Sequence, residues 1–421
     1  MSDNLTILAG DVRQTLASYP ANSVHCCITS PPYWSLRSYL PANHALKAFE
    51  LGSEKTPEEY IANMVAVFRQ VRRVLRDDGT LWANIGETFT DGGRVGIPAR
   101  FTLAMQADGW IWRDEIQWLK PSPMPMSFTG WQWQRCRVKT AKGRYVKYST
   151  AHNPDVTQSH DFKDASQYAA WHDCPGCPKC KDAGGYVLRR GSWRTTPAHE
   201  PIFMFAKTAK YFCDGIGARE EAATSTIERN QYTRKLDDPD EAFAVKHDHE
   251  FEGLTRNPRS TWRIASGGSS LRHYATFPRE LPERIIEIAT PGHGVCAKCG
   301  APWARMVDMT RTRESGSGKS GISPVGKNGS DMQGGGDTGD IRNGPCVAVE
   351  TLGWRATCPC GTEDRTPATV LDCFGGSGTT AEAALLMGRK AVLCELNPEY
   401  VAIIRQRMQA ACPMFCQEGD A

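Results

Sequence analysis

Apolar and polar positions follow two rhythms over the first 120 residues. The short apolar runs LTILAGD, SVHCCITS, TLWANIGE and WIWRDEIQWLK predict strands. SVHCCITS is apolar nearly throughout, as expected of a strand covered on both faces. Between these runs, apolar residues recur at helical spacing. TPEEYIANMVAVFRQVRRVLRDDG opens on Thr56 before Pro57, an N-cap followed by proline in the first turn, and predicts a helix stopping near Gly79. IPARFTLAMQADG predicts another, closed by Gly109. Strands alternating with helices argue for an α/β fold: a doubly wound, Rossmann-like parallel sheet.

The rhythm breaks at 122–195, a polar stretch rich in Trp, Tyr and Arg, and resumes at HEPIFMFAKTAKYFCD, which reads as a strand pair. PRELPERIIEIATPG predicts a helix ending before Gly292. ATVLDCFGG, SGTTAEAALLMG, KAVLCELN and PEYVAIIRQRMQAAC restore strand–helix–strand–helix. The expected organisation has one half of the α/β domain at 1–121, an insertion at 122–195 and a return to the sheet at 196–214. An irregular region follows at 215–260. The second half lies at 261–295 and 366–412, interrupted by an insertion at 296–365 with a mobile glycine-rich tip, and 413–421 is a tail.

Length and charge narrow the picture. A chain of 421 residues can bury a substantial core. Its net charge of +3 excludes a polycation, so any nucleic-acid surface must be local. No apolar run is long enough to cross a bilayer, and the N-terminus lacks a secretory pattern, so a cytosolic protein is expected. Sixteen cysteines in a reducing compartment point to metal rather than disulfides.

The stretch VLDCFGGSGTTAEAALLMGRKAVLCELN is a strand, a glycine turn, a helix and a strand ending in an acid. Gly375, Gly376 and Gly378 permit a tight turn and close backbone approach, and Glu395 stands where a carboxylate takes ribose hydroxyls. Phe374, Ser377, Thr379, Thr380 and Asn397 complete the loop and strand end. No lysine follows Gly378, so this is not a phosphate loop, and Asp372 suits an ammonium rather than a pyrophosphate. A ligand with ribose hydroxyls and an α-amino group but no phosphate is S-adenosyl-L-methionine. Plain connection chemistry is the simpler reading of such a turn taken alone.

Together, TSPPYW (29–34) and LDCFGGSGTT (371–380) resemble the amino-methylating DNA methyltransferases, which act on the exocyclic amine of cytosine or adenine. Having the first motif early and the second late resembles the permuted beta arrangement. Gly10-Asp11 and HYATFPRELPERIIEIATPG match that order, and bring Asp11, Phe277 and Pro278 into the expected cofactor site. The resemblance implies catalysis by Ser30, Pro31, Pro32 and Tyr33. Ser30 Oγ and the Pro31 carbonyl would accept the amine hydrogens, the prolines would fix the backbone, and Tyr33 would stack on a base flipped from the duplex. Ser before the two prolines resembles the cytosine-N4 enzymes, with adenine-N6 as alternative. Family loops usually carry proline where this chain has Cys373. The resemblance further implies double-stranded DNA as substrate, a cognate restriction endonuclease as candidate partner, and a cytoplasmic monomer or homodimer, prokaryotic or phage-encoded, with no membrane association. A cytosine ring-carbon methyltransferase is rejected, because neither Pro345-Cys346 nor Pro359-Cys360 lies at a strand end. The rival from another class is a catalytically silent zinc protein that binds nucleic acid.

Cys296, Cys299, Cys358 and Cys360 are spaced like two halves of a zinc ribbon. Cys174, Cys177 and Cys180 need a fourth ligand, for which Cys136 is the first candidate and His172 the second. One or two structural zinc ions are expected, stapling the insertions. Between 131 and 148, Arg135, Arg137, Lys139, Lys142 and Arg144 are interleaved with aromatics and with no acid, and Arg189 and Arg190 follow further on. If Arg135, Arg137 and Lys139 alternate along one strand they share a face. These residues are the candidate DNA contacts, placed in 122–195 with 215–260 as the expected target-recognition regions.

Overall fold

The computed structural model describes residues 4–90, 92–123, 130–139, 171–221, 232–234, 244–246, 255–266, 277–311 and 347–412. In chain order its principal elements are β1 (Leu5–Ala9), α1 (Val12–Ala17), β2 (Val24–Thr29), α2 (Pro57–Val74), β3 (Leu75–Asn84), α3 (Ile97–Ala107) and β4 (Ile111–Leu119). Then come β5 (Trp131–Arg135), β6 (Arg137–Lys139), β7 (Trp171–Asp173), β8 (Tyr186–Arg190), β9 (His199–Ala206), β10 (Thr261–Arg263) and α4 (Glu280–Ala289). The last are β11 (Trp303–Arg311), β12 (Val347–Ala356), β13 (Thr369–Asp372), α5 (Thr379–Leu386), β14 (Lys390–Glu395) and α6 (Pro398–Ala411).

Eight strands form one sheet in the order β1-β14-β13-β2-β3-β9-β4-β10. Only β9 runs antiparallel to its neighbours, so the sheet is parallel apart from one strand. The early strand β2 lies beside the late strand β13, with Cys26 opposite Val370 and Cys27 opposite Leu371. The sheet is covered on both faces, as the unbroken apolar character of β2 requires. One layer contains Phe68, Phe101 and Phe205, and the other contains Ile28, Ile285 and Leu385, all buried. Two compact units are defined, residues 123–197 and the remainder, the latter holding the whole sheet. Among the described residues no helix is long and apolar enough to cross a membrane.

Three expectations change. The Thr56-capped helix ends at Val74, before Gly79, because Leu75 is already extended and buried and starts the strand beside Val24. HEPIFMFAKTAKYFCD supplies one strand, not a pair: β9 ends at Ala206, and Phe212 and Asp214 donate single backbone N–H groups to the carbonyls of Asp78 in β3 and Ile288 in α4 without forming a second strand. Residues 261–263 do not join the cofactor half. They pair with β4 at the opposite edge of the sheet, where Trp262 is buried. The glycine-rich tip and the tail lie outside the described residues, as does most of 215–260.

Candidate active site

A cleft open to solvent lies at the carboxyl ends of β1, β2, β13 and β14. Ser30 and Pro32 form one wall, and the loop Asp372–Ser377 with Thr379 forms another. Asp11, Phe277, Glu395 and Asn397 also line it. A hydrogen bond joins the two motifs: Thr29 Oγ1 donates to Asp372 Oδ1 at 2.6 Å across 343 positions of sequence. Thr380 Oγ1 donates to Oδ2 at 2.7 Å, and the Phe374 N–H donates to Oδ1 at 3.0 Å. Burial pushes the Asp372 carboxyl up, opposed by these three donors. Much of its accepting capacity is therefore spent tying the catalytic strand to the glycine loop.

The loop is shaped by close approach. A Cβ on Gly375 would lie 3.2 Å from Leu393 Cβ and 3.3 Å from the Cys394 carbonyl. Gly378 has φ +81°, in the left-handed region that favours glycine, and caps α5 without lining the cleft. Arg407 on α6 clamps the turn, donating to the Ser377 carbonyl and hydroxyl, to Thr379, and to buried Glu382. Cys373, where family loops have proline, is buried in the same apolar cluster as Cys27.

Glu395 accepts the Gly376 N–H at 2.7 Å on one carboxylate oxygen and the Asn397 N–H at 2.8 Å on the other. Each oxygen keeps a second lone pair, the number a vicinal diol fills. Burial, with the neighbouring Asp372 charge, raises its pKa to about 7, opposed by backbone N–H donors. Asn397 caps α6 through the Glu399 N–H. Asp11 caps α1 and pairs with Arg13 at 2.9 Å. Pro278 stands outside the cleft lining, and its carbonyl accepts the Leu281 N–H at the start of α4.

At the proline turn, the Pro32 carbonyl accepts from the Tyr60 hydroxyl at 2.9 Å. Among the described residues no donor reaches the Pro31 carbonyl. Tyr33 is not part of the cleft lining. Its hydroxyl lies 3.0 Å from Asn84 Oδ1 and 3.0 Å from Glu200 Oε2, and its ring packs on Gly86.

Sequence reasoning missed the segment after the proline turn. Tyr39, Leu40, Phe49, Glu50 and Leu51 line the cleft, with Tyr400 from α6. The Glu50 carboxylate accepts the Tyr39 and Leu40 N–H groups and pairs with Lys47. Tyr39 meets Tyr400 edge to face at 6.3 Å. Only the Tyr-rich composition near the proline turn hinted at this; the arrangement depends on tertiary contacts.

Both cysteine sets come together. Cys136, Cys174, Cys177 and Cys180 have sulfurs within 4.8 Å of one another, as do Cys296, Cys299, Cys358 and Cys360. His172 is not in either group among the described residues. In the unit 123–197, β5 pairs with β8 and β6 with β7. Arg135 and Arg137 thus belong to separate strands broken at Cys136, which corrects the single-face expectation. Asp173 pairs with Arg135 at 2.7 Å and Arg137 at 3.8 Å, supplying the acid missing from the local sequence. Arg189 and Arg190 are exposed on β8, and Arg190 lies over Trp131 at 5.0 Å. Lys139 ends β6, while Lys142 and Arg144 lie outside the described residues.

The early proline turn and the late glycine loop thus meet at one cleft of an open α/β sheet. A family model described as DNA methylase, of the N6/N4 type, matches residues 24–297 and 365–406, and the chain belongs to that family. It is 28% identical over 317 residues to the type II methyltransferase M.XycI of Xanthomonas campestris pv. cyanopsidis, covering 68% of this chain and 73% of that protein. It is 26% identical over 317 residues to the type II methyltransferase M.Cfr9I of Citrobacter freundii, with the same coverages of 68% and 73%. Among solved structures, PvuII DNA methyltransferase (cytosine-N4-specific) matches with TM-score 0.47 and 15% identity over 100% of this chain and 88% of that one.

Proposed function

We propose that this chain methylates the exocyclic N4 amine of cytosine in double-stranded DNA, using S-adenosyl-L-methionine, on a base extruded from the duplex. The observation that supports it most is the meeting of Ser30 and Pro32 with the glycine loop across one cleft, bonded through Thr29 and Asp372. The cleft residues fit the cofactor. Their charged groups include Glu395, Asp372 and Asp11, and no Lys or Arg is among the lining residues, which suits a diol and a cation and opposes a phosphate. Glu395 would take the ribose hydroxyls, and the Gly375 backbone allows the close approach. When bound, the cofactor supplies an electrophilic methyl group on a sulfonium.

The chain's own residues must do the rest. The target amine is conjugated with its ring and is a poor nucleophile. Ser30 Oγ and the Pro31 carbonyl would accept its two hydrogens, favour a pyramidal nitrogen and stabilise the positive charge that develops there. Pro31 and Pro32 fix that carbonyl before substrate arrives. Tyr33 would stack on the flipped base. The surplus proton passes to water, so no strong base is needed.

The serine at 30 favours cytosine over adenine. The relatives' designation as type II methyltransferases favours a modification role beside an endonuclease. Each four-cysteine set would hold structural zinc. A tetrahedral zinc with sulfurs at about 2.3 Å sets them about 3.8 Å apart, and Cys136–Cys177 and Cys177–Cys180 are 3.8 and 3.7 Å apart. Four thiolates leave no open position for catalysis. Arg135, Arg137, Lys139, Lys142, Arg144, Arg189 and Arg190 are the proposed DNA contacts. The test is transfer of labelled methyl from the cofactor to duplex DNA: incorporation that Ser30→Ala reduces by about 10-fold or more supports the reading, and none on any duplex overturns it.

A further inference from the structure

A polar chain beside the proline turn has no part in the cofactor cleft. Lys120, just past β4, pairs with Glu200 on β9. Glu200 lies 3.0 Å from the Tyr33 hydroxyl, which also lies 3.0 Å from Asn84 Oδ1. Asn84 is oriented by its own bond to the Pro201 carbonyl at 3.0 Å. The opposite side of the Tyr33 ring rests on Gly86, where an added Cβ would fall 2.3 Å from Tyr33 Cε2. The ring is therefore fixed at its tip and along its edge by residues from three strand ends.

A phenol has one proton to give. Of its two acceptors Glu200 is a carboxylate, and a charge-assisted bond of that kind is roughly twice as strong as a neutral one. The phenol proton is therefore directed at Glu200, which fixes the hydroxyl at the end of β9.

We infer that Glu200, supported by Lys120, is a positioning residue: it holds the Tyr33 ring in the place from which it would meet the flipped base. This rests on the proposed role of Tyr33. The test is a double-mutant cycle. Glu200→Ala should lower kcat by about 10-fold or more with cofactor Kd within about twofold of the unaltered chain, and Glu200→Gln, which keeps an acceptor for the phenol, should recover most of the loss. In a Tyr33→Phe background Glu200→Ala should have little further effect. Full additivity, or an unchanged kcat in Glu200→Ala, overturns the inference. A crystal structure of Glu200→Ala reads the same point without turnover: a displaced or multiply placed Tyr33 supports it, and a ring unmoved on Gly86 overturns it. Failure of the unaltered chain to methylate DNA would instead overturn the proposed function.

Discussion

Glu395 shows how much one residue's surroundings decide. Its place at the end of an apolar strand was legible in the sequence, but its titration was not, because burial and two backbone donors set it. With a pKa raised to about 7, it carries a proton below that pH and cannot accept two hydroxyls. A bound diol favours the ionised form. Cofactor affinity should therefore fall as pH drops through about 7 and level off above it. Calorimetric Kd measurements across that window check this, and Glu395→Gln should bind more weakly with a flattened profile. Asp372 was legible as a site residue from its place at a strand tip, and the structure adds that Thr29, Thr380 and the Phe374 amide donate to its oxygens. Glu200, Lys120 and Asn84 carried no signal, since nothing local distinguishes a strand-end glutamate that meets a tyrosine 167 positions away.

Among the elements, those with a strong period were readable and those fixed by distant partners were not. α2 combines an N-cap, a proline and buried Tyr60, Met64, Phe68 and Val71 on one face, so its start and type were clear. Its end was misread because strand pairing at Leu75 overrides the helical pattern. β9 was read as a pair because apolar residues continue to Cys213, yet Tyr211 and Cys213 pack against the core as irregular chain rather than as a second strand. The cysteine pairs were readable by spacing. The structure adds Cys136 as the residue that completes the second set, which a three-cysteine motif could only suggest. Sulfurs this close have a reason to persist if they bind zinc, and the small strands β5 to β8 have little core of their own. Cys177→Ser should lower zinc content by about one ion per chain and make residues 123–197 sensitive to limited proteolysis, with cofactor binding retained. Unchanged metal content and protease resistance would remove zinc from the account of this unit.

Taken whole, the molecule divides its tasks between a sheet that builds the cleft and a compact unit rich in exposed cationic and aromatic side chains. Trp131, Trp133 and Trp193 are 68%, 60% and 72% exposed, unusual for tryptophan outside a contact surface. A net charge of +3 spread over 421 residues would confine any DNA contact to a local patch of this kind. Exchanging Arg189 and Arg190 together for glutamine should weaken DNA binding and lower the salt slope by roughly 2, with cofactor Kd unchanged. An unaltered slope would place the phosphate contacts elsewhere. The central claim concerns the chemistry at the cleft, and the identity of the product nucleoside tests it most directly. After incubation with duplex DNA and S-adenosyl-L-methionine, mass spectrometry of the digested DNA should show N4-methylcytosine. N6-methyladenine in its place would contradict the assignment of the base, and unmethylated DNA would contradict the account of the site itself.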